Sequence, residues 1–130
     1  MRVIPLTLGP GTDLKQALQA AVRTEGVQAA WLMTGVGSLR RIVLRLDGIH
    51  TAEGEFELIS ASGTLAPNGM HVHLAVADPQ GVLLGGHLMA GCVVAAQGTV
   101  EVVLGADDGW RFSRARDPRT GFDELSAVPA

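Results

Sequence analysis

Gly69-Met70-His71-Val72-His73-Leu74-Ala75-Val76-Ala77-Asp78 is the stretch on which the fold turns. Side chains along an extended strand point alternately to opposite faces. Met70, Val72, Leu74 and Val76 therefore share one side, and His71, His73, Ala75 and Ala77 the other. The first side reads as packed core. The second carries two imidazoles with small neighbours and is open to something other than protein. Upstream, Ala66-Pro67-Asn68-Gly69 is a turn signal that joins this strand to Phe56–Leu65 as an antiparallel hairpin. Downstream, Asp78-Pro79-Gln80-Gly81 turns the chain into the apolar, glycine-spotted run Val82–Val94, in which Leu83, Gly85, His87 and Met89 share a face. Asp78 lies on the Val76 side, away from the histidines, and serves the turn.

Working outward, Gly98–Leu104 reads as a further strand. Beyond Asp107-Asp108-Gly109 the tail turns polar, with Trp110 and Phe112 anchoring its start and residues 113–130 forming a surface extension. Towards the N-terminus, Arg2–Leu8 is a strand whose Pro5 suits an edge, and Gly9-Pro10-Gly11 breaks it. Asp13 caps a helix in which Leu14, Ala17, Leu18, Ala21 and Val22 form one buried stripe, and Gly26 ends it. Ala29–Thr34 is the next strand, and Gly35-Val36-Gly37-Ser38 reads as a turn. A strand to Leu46 follows, then a polar segment, Asp47–Glu53, with His50. One helix and about seven short strands at hairpin spacing define an α+β domain with a mainly antiparallel sheet able to curl into a barrel-like form.

The bulk properties agree. At 130 residues the chain fits one domain, and no apolar run approaches the ~20 residues that span a bilayer. The composition is 47% hydrophobic with 4% aromatic, so the core is built from Val, Leu, Ile and Ala, and the apolar excess suggests strands buried between subunits. No secretory signal pattern is present, which makes the cytoplasm the expected location. Cys92 stands alone in an apolar run and reads as a small buried hydrophobe. A net charge of −3 argues against a domain that grips DNA through its phosphates.

The histidines carry the chemistry. His-x-His on a strand sets two imidazoles roughly 7 Å apart at the backbone, from which the long side chains can converge on one ion. His87 is the available third ligand, and Gly85-Gly86 removes bulk beside it. Three neutral imidazoles suit a divalent metal, zinc first, with nickel, iron and copper as competitors; a fourth position left to water belongs to an exchangeable or catalytic site. Glu57 and Glu101 are the candidate carboxylates, to orient an imidazole or act as a general base on metal-bound water. The competing reading is three imidazoles that only hydrogen-bond on a polar face or at a subunit contact. The Arg40, Arg41 and Arg45 group could meet an anion or a partner, though a solvated strand face explains it more cheaply. The serines lack a nucleophile elbow, and neither glycine turn is a phosphate-binding loop.

Several segments together resemble the PPC domain, found alone in prokaryotic proteins and joined to AT-hooks in plant nuclear proteins. They are Gly35-Val36-Gly37-Ser38-Leu39, Gly54-Glu55-Phe56-Glu57-Leu58-Ile59-Ser60 with Ser62-Gly63-Thr64, His71-Val72-His73-Leu74, Gly81 with Gly85-Gly86-His87-Leu88 and Gly91, and Val100-Glu101-Val102-Val103. The resemblance implies a compact α+β fold, a homotrimer, and a metal site carried by His71, His73 and His87. It also implies a stand-alone module that is DNA-associated or regulatory through protein partners, since the chain contains no Arg-Gly-Arg AT-hook core. The alternative is a small zinc-dependent lyase or hydrolase at the same histidines. Its motive is three histidines that would leave a coordination position open beside Glu57 or Glu101; the family fold also resembles that of acetolactate decarboxylase, a zinc enzyme with histidine ligands, a likeness of fold alone.

Overall fold

The computed structural model describes every residue, Met1–Ala130. Nine strands and one helix follow in the order β1 (Arg2–Leu8), α1 (Leu14–Glu25), β2 (Ala30–Arg45), β3 (Ile49–Ala66), β4 (Gly69–Ala77), β5 (Leu83–Leu88), β6 (Val93–Val94), β7 (Val100–Ala106), β8 (Trp110–Arg116) and β9 (Asp123–Pro129). All pairings are antiparallel. The main sheet runs β1-β7-β2-β3-β4-β5, with β6 on β2, and β5 also pairs with β2. That last pairing closes a ring of hydrogen bonds through β2, β3, β4 and β5.

The helix forms where its stripe requires it. Leu14, Leu18, Ala21 and Val22 are buried. One Asp13 oxygen accepts from the Gln16 amide at 3.0 Å as the N-cap, and the other accepts from the Gly91 amide at 2.6 Å, tying the helix start to the chain between β5 and β6. Such a cap contributes about 1 kcal/mol. At the other end Gly26 turns left-handed at φ 63°, its amide donating to Arg23, and the Val27 amide donates to Val22.

A single cluster of aliphatic side chains, with Phe56 and Cys92, fills the space between α1 and the sheet. No polar side chain is buried. Cys92 is fully buried, as its setting in the sequence implied, and burial pushes its thiol pKa up.

Two strands are longer than the sequence suggests. Gly35–Ser38 is not a turn: β2 runs through it, with Gly37 at φ 144° and the Thr99 carbonyl where a Cβ would stand. Gly37 permits the close approach of the Thr99–Val100 main chain at the start of β7, so β2 continues and the chain reverses only at 46–48. Likewise β3 begins at Ile49, inside the segment read as polar turn, because Ile49–Glu53 has β2 to pair with. The tail beyond 113 is an ordered hairpin: β8 and β9 pair from Trp110–Pro129 to Arg116–Asp123.

Candidate metal centre

The sheet register assembles the cluster. β3 pairs Ser62 with His73, β4 pairs His73 with His87, and β2 pairs Arg45 with His87. Residues directly opposite in an antiparallel pair share a face and lie on strands about 4.8 Å apart. Ser62, His73, His87 and Arg45 therefore form one transverse row on the open side of the sheet. The His73 and His87 ring centroids are 4.6 Å apart, close to the strand spacing. His71 is two residues along β4 from His73, yet its ring leans to within 4.9 Å of His73 and 5.0 Å of His87. The ring closure is what brings His87 in, and Gly86 permits it: a Cβ there would lie 3.0 Å from the Arg45 carbonyl oxygen and 3.2 Å from Leu44.

One ring nitrogen from each histidine lies within 4.8 Å of the other two, and the Nε2 atoms of His71 and His73 are 3.1 Å apart. Tetrahedral zinc with Zn–N near 2.05 Å sets its ligands about 3.4 Å apart. Small rotations of the imidazoles would meet that spacing, so the donor set fits a divalent ion with a position left open. Burial is the main cause that holds the His71 and His87 pKa values below the ordinary histidine value; the neighbouring His73 and the guanidinium groups of Arg45 and, for His71, Arg114 add to it. All of these favour neutral imidazole, the form that binds metal.

The candidate carboxylates are placed elsewhere. Glu57 pairs with Ala77, four residues along β4 from His73, and accepts from the Ser38 hydroxyl at 3.3 Å. Glu101 pairs with Thr7 and Val36 on β7, which does not border β4. Neither reaches the three imidazoles.

What lies beside the cluster instead is a cavity of about 490 Å³, whose wall includes His71 and His87 together with Lys15, Arg45, Arg114, Phe122, Asp123 and Glu124. The last four come from the C-terminal hairpin and its connecting turn. Asn68, in the β3–β4 turn, holds that hairpin: its amide group donates to the Arg114 carbonyl at 3.0 Å and accepts from the Arg114 amide at 2.8 Å. Sequence reasoning missed these residues. Only Arg45, within a charged strand face, carried a signal.

The fold and the cluster define a small antiparallel α+β domain with three converging histidines on an open sheet face. The chain belongs to the Plants and Prokaryotes Conserved (PCC) domain family, whose model matches residues 1–107. It is 42% identical over 132 residues to a bifunctional protein GlmU from Synechococcus sp. (strain JA-2-3B'a(2-13)), covering 99% of this chain and 21% of that protein. The chain thus spans about a fifth of the length of such curated relatives. A hypothetical protein from Salmonella cholerae-suis superposes with TM-score 0.93 at 41% identity, over 98% of this chain and 94% of that one. The same fold recurs in a protein of Ralstonia eutropha JMP134 named as a candidate DNA-binding protein (TM-score 0.84, 21% identity, 96% and 90% covered). It recurs again in the metal-containing protein of Archaeoglobus fulgidus (TM-score 0.75, 24% identity, 97% and 94% covered).

Proposed function

We propose that this chain is a metal-binding PPC module that holds one divalent ion, zinc, through His71, His73 and His87. The observation that carries the reading is the convergence of three imidazole nitrogens within 4.8 Å on an open sheet face. The metal-containing Archaeoglobus protein with the same fold supports it. Elemental analysis of protein purified without a histidine tag is the test. One equivalent of ion per chain is expected, and sub-stoichiometric metal after zinc loading and desalting would refute the reading.

The module acts as a homotrimer, as the family resemblance implies. Outward-facing apolar residues support assembly: Val36 on β2 and Ile59 on β3 sit one step beyond the Gly37–Leu58 pair, and Leu83 is 62% exposed at the start of β5. Sedimentation equilibrium at micromolar concentration should return three times the 13.5 kDa chain mass, whereas a monomer would contradict it.

Its biological setting is DNA-associated or regulatory, through partners. The Ralstonia protein supports the association, and the net charge of −3 argues that the contact is indirect. A salt-sensitive mobility shift with random duplex DNA would instead mark direct binding. One observation favours a second, catalytic reading as a zinc-dependent lyase or hydrolase: a cavity large enough for a metabolite opens beside the cluster. The carboxylates on its wall are Asp123 and Glu124, so a general base in that reading comes from the hairpin.

A further inference from the structure

The cavity wall brings three cations together from three separate elements: Lys15 from α1, Arg45 from the end of β2 and Arg114 from β8. None of them has a carboxylate oxygen within 4.0 Å, although all three ion pairs in the molecule engage other residues. The guanidinium of Arg114 donates to the main-chain carbonyl of Asp123, and Glu124 accepts from the Thr120 hydroxyl. The side chains of Arg45 and Lys15 make no hydrogen bond within the protein. Three cations against two carboxylates, Asp123 and Glu124, leave the wall one net positive charge. A divalent ion on neutral imidazoles would raise that to three.

Placement makes the charge specific. Arg45 is directly opposite His87 in the row that carries the cluster, and the two line the same cavity. Arg114 is fixed from the other direction by the two Asn68 hydrogen bonds, which use its main chain, while its guanidinium lines the cavity with one N–H donated to the Asp123 carbonyl. An arginine beside a metal with an open position recognises a ligand with two linked features: an oxygen donor for the ion, and an anionic group that accepts paired N–H bonds. At about 490 Å³ the space suits a metabolite rather than a polymer.

We propose that the cavity binds a small organic anion, a carboxylate or phosphate ester, that bridges from the metal held by His71, His73 and His87 to Arg45 and Arg114. The inference rests on the metal reading and adds the ligand class. The test uses the full chain loaded with cobalt(II), whose visible d–d bands report coordination, titrated separately with malonate and with inorganic phosphate. At least one probe should change the bands saturably, and which one does so separates a carboxylate ligand from a phosphate ligand. Arg45→Ala and Arg114→Ala should each weaken that probe roughly tenfold or more, the worth of one charge-assisted hydrogen bond, while cobalt stoichiometry stays at one. Arg116→Ala, on the same hairpin but off the cavity wall, should bind as the parent does. A normal cobalt spectrum indifferent to both anions overturns this inference alone. So does anion binding untouched by Arg45→Ala, or weakened equally by Arg116→Ala. Absence of any cobalt spectrum overturns the metal reading and this inference with it.

Discussion

The two faces of β4 share a backbone and pairing partners but differ in what holds them. On one face Val72, Leu74 and Val76 are 3%, 3% and 0% exposed and belong to the continuous core. On the other, His71 and His73 stand on a surface whose neighbours, Ala75 and Gly85, supply almost no packing. The core face determines the strand's position, so the histidine face is free to be arranged for a ligand. Removing a core side chain should cost stability, and removing a histidine should cost binding.

Leu74→Ala should give the largest effect, a loss of about 2–5 kcal/mol for a buried leucine, read from urea unfolding of the metal-free protein. Its mirror is His73→Ala. Partners that merely orient a ligand are worth 10–100-fold in metal affinity, so a direct ligand should cost about 100-fold or more. Metal-free stability should meanwhile stay within about 0.5 kcal/mol of the parent, as for surface substitutions. Competition with a chromophoric chelator and urea unfolding check the two halves. A result in which His73→Ala unfolds the protein as badly as Leu74→Ala would erase the distinction between the faces.

Gly86→Val couples the faces. Gly86 sits opposite Leu74 on the core side and beside His87, with the Arg45 carbonyl and Leu44 crowding the place of a Cβ. Overpacking there should cost about 1–3 kcal/mol and, by pushing β5 from β2, weaken metal binding as well. Stability lost with affinity intact would show that the closure does not position His87.

The smallest effect is that of pH. His71 and His87 have native pKa values held below the ordinary ~6.5. Between their native values and 6.5 the unfolded chain binds more protons than the native one. Their contribution is therefore complete above pH 6.5 and is lost as pH falls through the native values. Metal-free protein should lose less stability between pH 7.5 and pH 5 when both are replaced by alanine, measured by urea midpoints. A larger loss in the double variant would contradict the sign.

Local signals in the sequence were enough for the parts of the fold that depend on neighbours in the chain. Asp13 and Gly26 do bound the helix, Asp78 does close its turn by accepting from the Gln80 and Val82 amides, and the histidine strand does pair with its predecessor. Even His87 was legible, because its face followed from the period of two once Gly85-Gly86 was read as strand. What was hidden depends on distant segments. Gly37 looks like part of a turn until the Thr99–Val100 main chain is seen passing against it, and a strand glycine of this kind marks close backbone approach. The placement of Glu57 and Glu101 needed the bulges in β2 and β3 and the order of strands. The hairpin wall of the cavity hangs on Asn68 and Arg114, which are 46 residues apart, and its alternation is confined to Trp110 and Phe112 on one strand and Leu125 and Ala127 on the other, too short among charged residues to announce it.

Three histidines from two strands act, in this reading, as one site. Zinc stoichiometry, measured by chelator competition on the tag-free chain and on the variant carrying His71→Ala, His73→Ala and His87→Ala together, tests it most directly. One ion per chain is expected in the parent and none in the variant, with both folded by circular dichroism. Equal zinc binding by the two proteins, or none by either, would contradict it.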